Sequence, residues 1–316
     1  MYGFGEAERI LGNAFKALNV KREEIVVTTK LFWGEGRGGS VMDHIMHYKT
    51  KGVNESGLSR KKVIESTRAA LKRLQLDYVD VIYAHRPDQF TPLEETCRAF
   101  SWVIDQGWAF YWGTSEWDAD TIMEAIGICE RLGLHPPCVD QCQYNMTVRG
   151  RMENDYRSLF EKHGYGTTVW GPMAGGFLSG RYNDGNIPDD SRFNKFDPFW
   201  GKSIPARMFT GENKEKILRI CRGLAEIAAE LGYTQAQLAL AWVLASTDVS
   251  TLIIGFSKLE QLEENIKALE LYGKWNKELE ARIEALLGNA VETRLDFRQF
   301  CPLTSRRLTA VFDAKK

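Results

Sequence analysis

Two hydrophobic rhythms alternate along the chain. Short apolar, β-branched runs of strand length recur at Ile25 to Thr29, Tyr78 to Tyr83, Ala109 to Gly113, Cys138 to Gln141, Thr167 to Trp170 and Thr251 to Gly255. Between them lie longer segments whose apolar residues are spaced for one face of a helix, the first reading Glu6 to Leu18. Several helix starts carry a hydroxyl followed three positions later by Glu or Gln, the pattern in which side chains satisfy orphan amides: Thr91 with Pro92 and Glu94, Thr234 with Gln237, and Ser257 with Glu260.

Strand and helix in strict alternation mean a parallel sheet, either open and doubly wound or closed as a barrel. The open form requires a phosphate-cradling glycine turn after its first strand. Here a polar residue sits instead at or just past the carboxyl end of nearly every strand: Lys30, His85, Ser115, Gln141, Trp170 and Ser257. Polar groups converging from many strand ends are what the mouth of a barrel supplies. The expected fold is therefore α/β, a (β/α)8 TIM barrel. Six strands are legible, and Met1-Tyr2-Gly3 runs at once into a helical pattern, so the expectation is a barrel lacking its first two strands and first helix. It spans 1–288 as one domain, with 289–316 as a mildly basic tail carrying Arg298, Arg306, Arg307, Lys315 and Lys316. Gly180 to Gly211, rich in Gly, Pro, Asn and Asp, reads as a lid, and Gly34 to Gly57 as an irregular insertion.

Composition narrows the function. The 41 basic and 42 acidic residues leave a formal net charge of -1 without a long block of one sign, which argues against nucleic acid and anionic membrane and favours a metabolite-sized ligand. Six cysteines, at 97, 129, 138, 142, 221 and 301, lack the spacing of a zinc site or a redox CxxC and read as reduced cytosolic thiols. The N-terminus has no signal-peptide core, and no apolar run reaches the roughly 18 residues of a membrane span, so the reading is cytoplasmic, without direct membrane insertion. Gly34-Glu35-Gly36-Arg37-Gly38-Gly39 matches GxGxxG, but the next strand begins only at Tyr78, too far for a dinucleotide unit. His44 and His47 have HxxH spacing without further ligands, so no metal is expected.

The chemistry-bearing set is Tyr2, Lys30 and His85. A phenol titrates near ~10, too high for easy proton transfer at neutral pH, and a nearby ammonium would lower it. Lys30 ends an otherwise apolar strand, and His85 ends YVDVIYA, where it could position a carbonyl oxygen beside Tyr2. Phe32, Trp33 and Trp117 are candidate walls of an apolar, aromatic pocket.

Tyr2-Gly3 with GEAERILG, TTK at Thr28 to Lys30, LSRKKVIES at Leu58 to Ser66, LQLDYVDVIYAHRPD at Leu74 to Asp88, TPLEET at Thr91 to Thr96, YWGTSEW at Tyr111 to Trp117 and GFSKLEQLEEN at Gly255 to Asn265 together resemble the aldo-keto reductase superfamily, nearest to the voltage-gated potassium channel β subunits. The resemblance runs from about Met1 to about Asn289. It implies NADP(H) as cofactor, an aldehyde or ketone as substrate, and Tyr2 as general acid with Lys30 lowering its pKa and His85 orienting the carbonyl. By the same resemblance Trp170 would stack on the nicotinamide, with Ser115 and Gln141 bonded to its carboxamide. Arg181, Arg192, Ser257 and Gln261, with Gly255 in the same run, would hold the adenosine 2′-phosphate, and Glu264 and Asn265 would touch the adenine. The family also places an Asp on the second strand, ahead of the tyrosine. Two functional readings follow: a carbonyl reductase, or a redox-sensing subunit docked on an ion channel α subunit, as a four-fold ring. His85 favours turnover, since most active reductases of the family carry His there and the animal channel subunits carry Asn.

Overall fold

The computed structural model describes residues 2–34, 52, 54–191, 193 and 211–292. Among them, six strands form one parallel sheet: β1 (Thr28–Leu31), β2 (Val79–Ala84), β3 (Ala109–Thr114), β4 (Val139–Asp140), β5 (Gly166–Trp170) and β6 (Thr251–Ile253). Their order in space is their order in sequence, β1-β2-β3-β4-β5-β6. That order fits a barrel rather than a doubly wound sheet, whose strand order reverses at a switch point. All six expected strands are present, in a curled half-barrel sheet of α/β class.

Among the described residues the α-helices are α1 (Glu6–Ala17), α2 (Arg60–Leu74), α3 (Leu93–Asp105), α4 (Ala119–Leu132), α5 (Arg157–His163), α6 (Gly211–Glu230), α7 (Gln235–Leu244), α8 (Leu259–Ile266), α9 (Ala268–Tyr272) and α10 (Lys277–Leu287). Helix α2 shows why they form. Ser59 accepts the Lys62 amide at its start, and Val63, Thr67, Ala70, Leu71 and Leu74 make one buried stripe at helical spacing. Beneath α3 the Phe100 ring stacks on Trp112 of β3 at 4.8 Å, both fully buried, so the core lies between sheet and helices. Gly12 of α1 lets that helix cross the end of α2, since a Cβ there would stand 2.3 Å from the Leu74 carbonyl oxygen. Two part-buried ion pairs lock the β1 edge. Asp80 accepts from Arg22 at 2.6 Å and from the Val27 amide at 2.7 Å, and Glu8 accepts from Arg73 and Thr29, each at 2.5 Å.

Three local expectations are corrected. The first strand starts at Thr28 rather than Ile25, because the Asp80 carboxylate takes the Val27 amide that a ladder would use. Thr91 does not cap α3; Pro92 occupies the cap position, and the Thr91 hydroxyl donates to Asp88 at 2.7 Å. Ser257 does not cap α8 with Glu260. Lys258 is the residue ahead of the first turn, and the Ser257 amide donates to Gln261 Oε1 at 2.9 Å. The Thr234 and Gln237 capping box is present in full at α7. The lid and tail are described only at 180–191, 193, 211 and 289–292, and most of the Gly34 to Gly57 insertion, with His44 and His47, lies outside the described residues.

Candidate functional site

Strand register explains why distant residues meet. Leu31, Ala84, Thr114 and Asp140 are partners across β1 to β4, and Asp140 faces Thr167 on β5. The residues one step further, Phe32, His85, Ser115, Gln141 and Thr168, therefore form one layer at the carboxyl ends of five strands. One layer below, Lys30, Tyr83 and Gly113 are in register on the same face. Bonds across the strands confirm the layer: Tyr83 Oη lies 3.1 Å from Thr168 Oγ1, Gln141 Nε2 donates to Thr168 Oγ1 at 3.3 Å, and Ser115 Oγ donates to the Gln141 carbonyl at 2.9 Å. Gly113 is needed at the crossing, where a Cβ would be 2.4 Å from the Val139 carbonyl oxygen and 2.9 Å from the Tyr83 ring.

Tyr2 enters the mouth from a tight 3-10 turn, Tyr2–Gly5, in which Gly3 and Phe4 both hold positive φ, 56° and 52°. Its ring centroid lies 5.8 Å from that of His85, and Lys30 Nζ lies 5.1 Å from the Tyr2 ring centroid. The three line one cavity of about 470 Å³ together with Trp33, whose ring is edge-on to His85 at 6.5 Å, and with Glu8, Lys62, Glu65 and Arg73 of α1 and α2 on the far side. Phe32 packs against Trp33 at 4.8 Å. Trp117 is not a wall of this cavity: it is 1% exposed, and its carbonyl is held by Tyr156 Oη at 2.5 Å.

The electrostatics differ from a simple phenol–ammonium pair. Tyr2 is 51% exposed, yet its partial desolvation in the cavity pushes the phenol above its usual value, and the Arg86 guanidinium offsets this only in part. Lys30 Nζ stands over the ring face of Tyr2, and the phenol is raised rather than lowered, with burial as the larger cause. Burial first, then Arg86, bring Lys30 down to about 8. Burial, followed by Arg86 and Lys30, drives His85 to about 2, so its imidazole is neutral across the physiological range. A neutral imidazole and a protonated phenol can both donate a hydrogen bond to one carbonyl oxygen.

Arg86 is the group sequence reasoning missed. Its Nη1 donates to the His85 carbonyl at 2.6 Å and to Ser115 Oγ at 3.2 Å, which joins the Tyr2, Lys30 and His85 cluster to the Ser115 and Gln141 pair. The only signal was its place beside His85 in HRPD. Glu116 was missed as well; its Oε1 accepts from Trp170 Nε1 at 2.8 Å and from the Gln143 amide at 2.7 Å.

The remaining expected residues form a second group around β6 and α8. Gly255 has open space where a Cβ would stand. Ser257 and Gln261 are bonded to each other on the surface, while Glu264 is exposed and Asn265 is buried one turn on. Arg181 is committed to an ion pair with Asp190 at 2.5 Å, and Arg192 lies outside the described residues. Among the described residues no cluster of His, Cys, Asp or Glu could hold a metal, and no helix is long and apolar enough to cross a membrane.

Residues 1–287 match the Aldo/keto reductase family. A protein of Arabidopsis thaliana named "Probable voltage-gated potassium channel subunit beta" is 46% identical over 271 residues, 86% of this chain and 76% of the relative. One of the same name from Oryza sativa subsp. japonica is 44% identical over 287 residues, covering 91% and 81%. A relative from Schizosaccharomyces pombe, with a name of the same kind, is 43% identical over 299 residues, covering 95% and 81%. With a match over nearly its whole length and these relatives beside it, the chain belongs to the aldo/keto reductase family.

Proposed function

We propose that this protein is an NADPH-dependent reductase of aldehydes and ketones, with Tyr2 as general acid. The observation that carries this reading is the meeting of Tyr2, Lys30 and His85, from three separate parts of the chain, in one cavity. NADPH, when bound, supplies the hydride. The chain's own residues do the rest: His85 donates a hydrogen bond that orients the carbonyl oxygen, and Tyr2 delivers the proton. The phenol is protonated at neutral pH, and a developing alkoxide is more basic than a phenolate, so the proton can pass to it even though burial makes the phenol a weaker acid. Lys30 and Arg86 add positive charge beside that oxygen, where it stabilises the transition state more than the ground state. Phe32 and Trp33 provide the apolar side of the substrate pocket.

The residues fit the cofactor. Trp170 is only half-buried and presents a ring at the end of β5, with Ser115 and Gln141 on the adjacent strand ends. Gly255, Ser257 and Gln261 lead into the first turn of α8, where free amides favour an anion such as the 2′-phosphate. Arg181 and Arg192 would join them, Arg181 by exchanging Asp190 for the phosphate, and Glu264 and Asn265 would contact the adenine. β1 and β6 are the two ends of the strand order, and closing the sheet into an eight-stranded barrel would take two further strands between them.

The names of the relatives support a second reading, a subunit that docks on a channel α subunit; on that reading the protein would bind the same cofactor with little turnover, as a cytoplasmic homotetramer. The experiment that separates the two is consumption of NADPH with a panel of aromatic aldehydes, by wild type and by His85→Asn. The reductase reading expects turnover that falls in the variant; NADPH binding without turnover, unchanged by His85→Asn, would favour the docking subunit.

A further inference from the structure

Glu116, directly after Ser115, turns the chain at the end of β3. Its φ of 59° is left-handed, a conformation that a side-chain-bearing residue adopts at a cost of ~1 kcal/mol and keeps only where its surroundings over-determine it. They do so here. The carboxylate folds back over the ends of β4 and β5, where Oε1 accepts the Trp170 indole N–H at 2.8 Å and the Gln143 amide at 2.7 Å. Oε2 lies 3.7 Å from Arg151, whose guanidinium also donates to the Trp117 carbonyl at 2.5 Å and to Tyr156 Oη at 3.3 Å. The flanking residues are fixed too, Ser115 through its hydroxyl on the Gln141 carbonyl and Trp117 through Tyr156. An indole at a half-buried strand end would otherwise turn its N–H to water and swing about its side-chain torsions.

We propose that Glu116 is a positioning residue: it sets the plane of Trp170 and, through its left-handed turn, the direction of the Ser115 hydroxyl, so that the nicotinamide meets a preformed surface. The proposal rests on the reading of Trp170 as the platform for that ring. Preorganisation of this kind appears in cofactor affinity, because a platform already held in place need not be immobilised on binding.

The test uses the full chain labelled with ¹⁵N at the indoles, the Trp170 signal being identified by its loss in Trp170→Phe. Two variants separate the tie from the turn. Glu116→Gln keeps an acceptor for the indole N–H. Glu116→Gly removes the acceptor but accepts the left-handed backbone without strain, so it is expected to fold. Glu116→Gly should move the Trp170 indole signal alone and weaken NADPH binding by about tenfold, the size of one lost charge-assisted hydrogen bond, with the KM for aldehyde little changed. Glu116→Gln should restore NADPH affinity to within about twofold of wild type. The proposal is overturned if Glu116→Gly binds NADPH as wild type does, or if both variants shift many indole signals and melt early, as a purely structural prop would. If wild type itself binds no NADPH, the reductase reading fails and the inference goes with it; if wild type binds and Glu116→Gly binds equally, the inference alone fails.

Discussion

His85 is 4% exposed and lies between two cations, and that placement sets its chemistry more than its residue type does. In the unfolded chain its imidazole takes a proton near pH 6.5, whereas in the fold it does so only near 2. Below 6.5 the unfolded state binds more protons, so stability is full above that pH and falls as pH drops, by up to ~1.4 kcal/mol per unit. Thermal melts from about pH 7.5 down to about pH 5 should show this loss, and His85→Asn should remove up to ~2 kcal/mol of it. An unchanged slope in the variant would mean that the imidazole is not buried as described. Lys30 has the opposite consequence on the alkaline side. Its folded value of about 8 lies below its usual 10.5, so between those values the unfolded chain holds more protons and stability rises with pH. Below 8 the full cost of burying the ammonium is present. Lys30→Met should therefore be more stable than wild type at neutral pH and lack the alkaline rise, as denaturant titrations at several pH values would reveal.

At the scale of elements, two substitutions test the reasons given for the fold. Thr234→Ala breaks a complete capping box and should cost ~1 kcal/mol in chemical denaturation, without affecting cofactor binding. Gly113→Ala drives a methyl into the Val139 carbonyl and the Tyr83 ring, so β3 and β4 must part; a loss of ~3 kcal/mol is expected, together with weaker binding at Ser115 and Gln141 one layer above. The same elements show what could be read from the chain beforehand. The six strands and their order were legible because apolar β-branched runs alternate with helical periodicity, and the strand-end polar residues were legible because they break those runs. The start of β1 was not, since it depends on the Asp80 carboxylate capturing an amide more than fifty residues away in sequence. Thr91 and Ser257 looked like caps because spacing alone cannot tell which nearby acceptor or donor wins. Arg86 and Glu116 sit next to expected residues, yet one acts sideways across two strands and the other through a left-handed turn, and neither leaves a periodic trace.

For the molecule as a whole, a sequential parallel sheet brings residues 2, 30 and 85 to one end of the fold without any of them being close in the chain. The layer Phe32, His85, Ser115, Gln141 and Thr168 then leads toward Trp170, which on the proposed function would hold the nicotinamide. On the proposed function this phenol delivers the proton while the cofactor delivers hydride. It is tested most directly by following deuterium from specifically deuterated NADPH into the alcohol formed from an aromatic aldehyde, in wild type and in Tyr2→Phe. Wild type should give labelled alcohol, and Tyr2→Phe an unchanged NADPH affinity with product formation lowered by at least ~100-fold. Labelled alcohol formed equally fast without the phenol would contradict it.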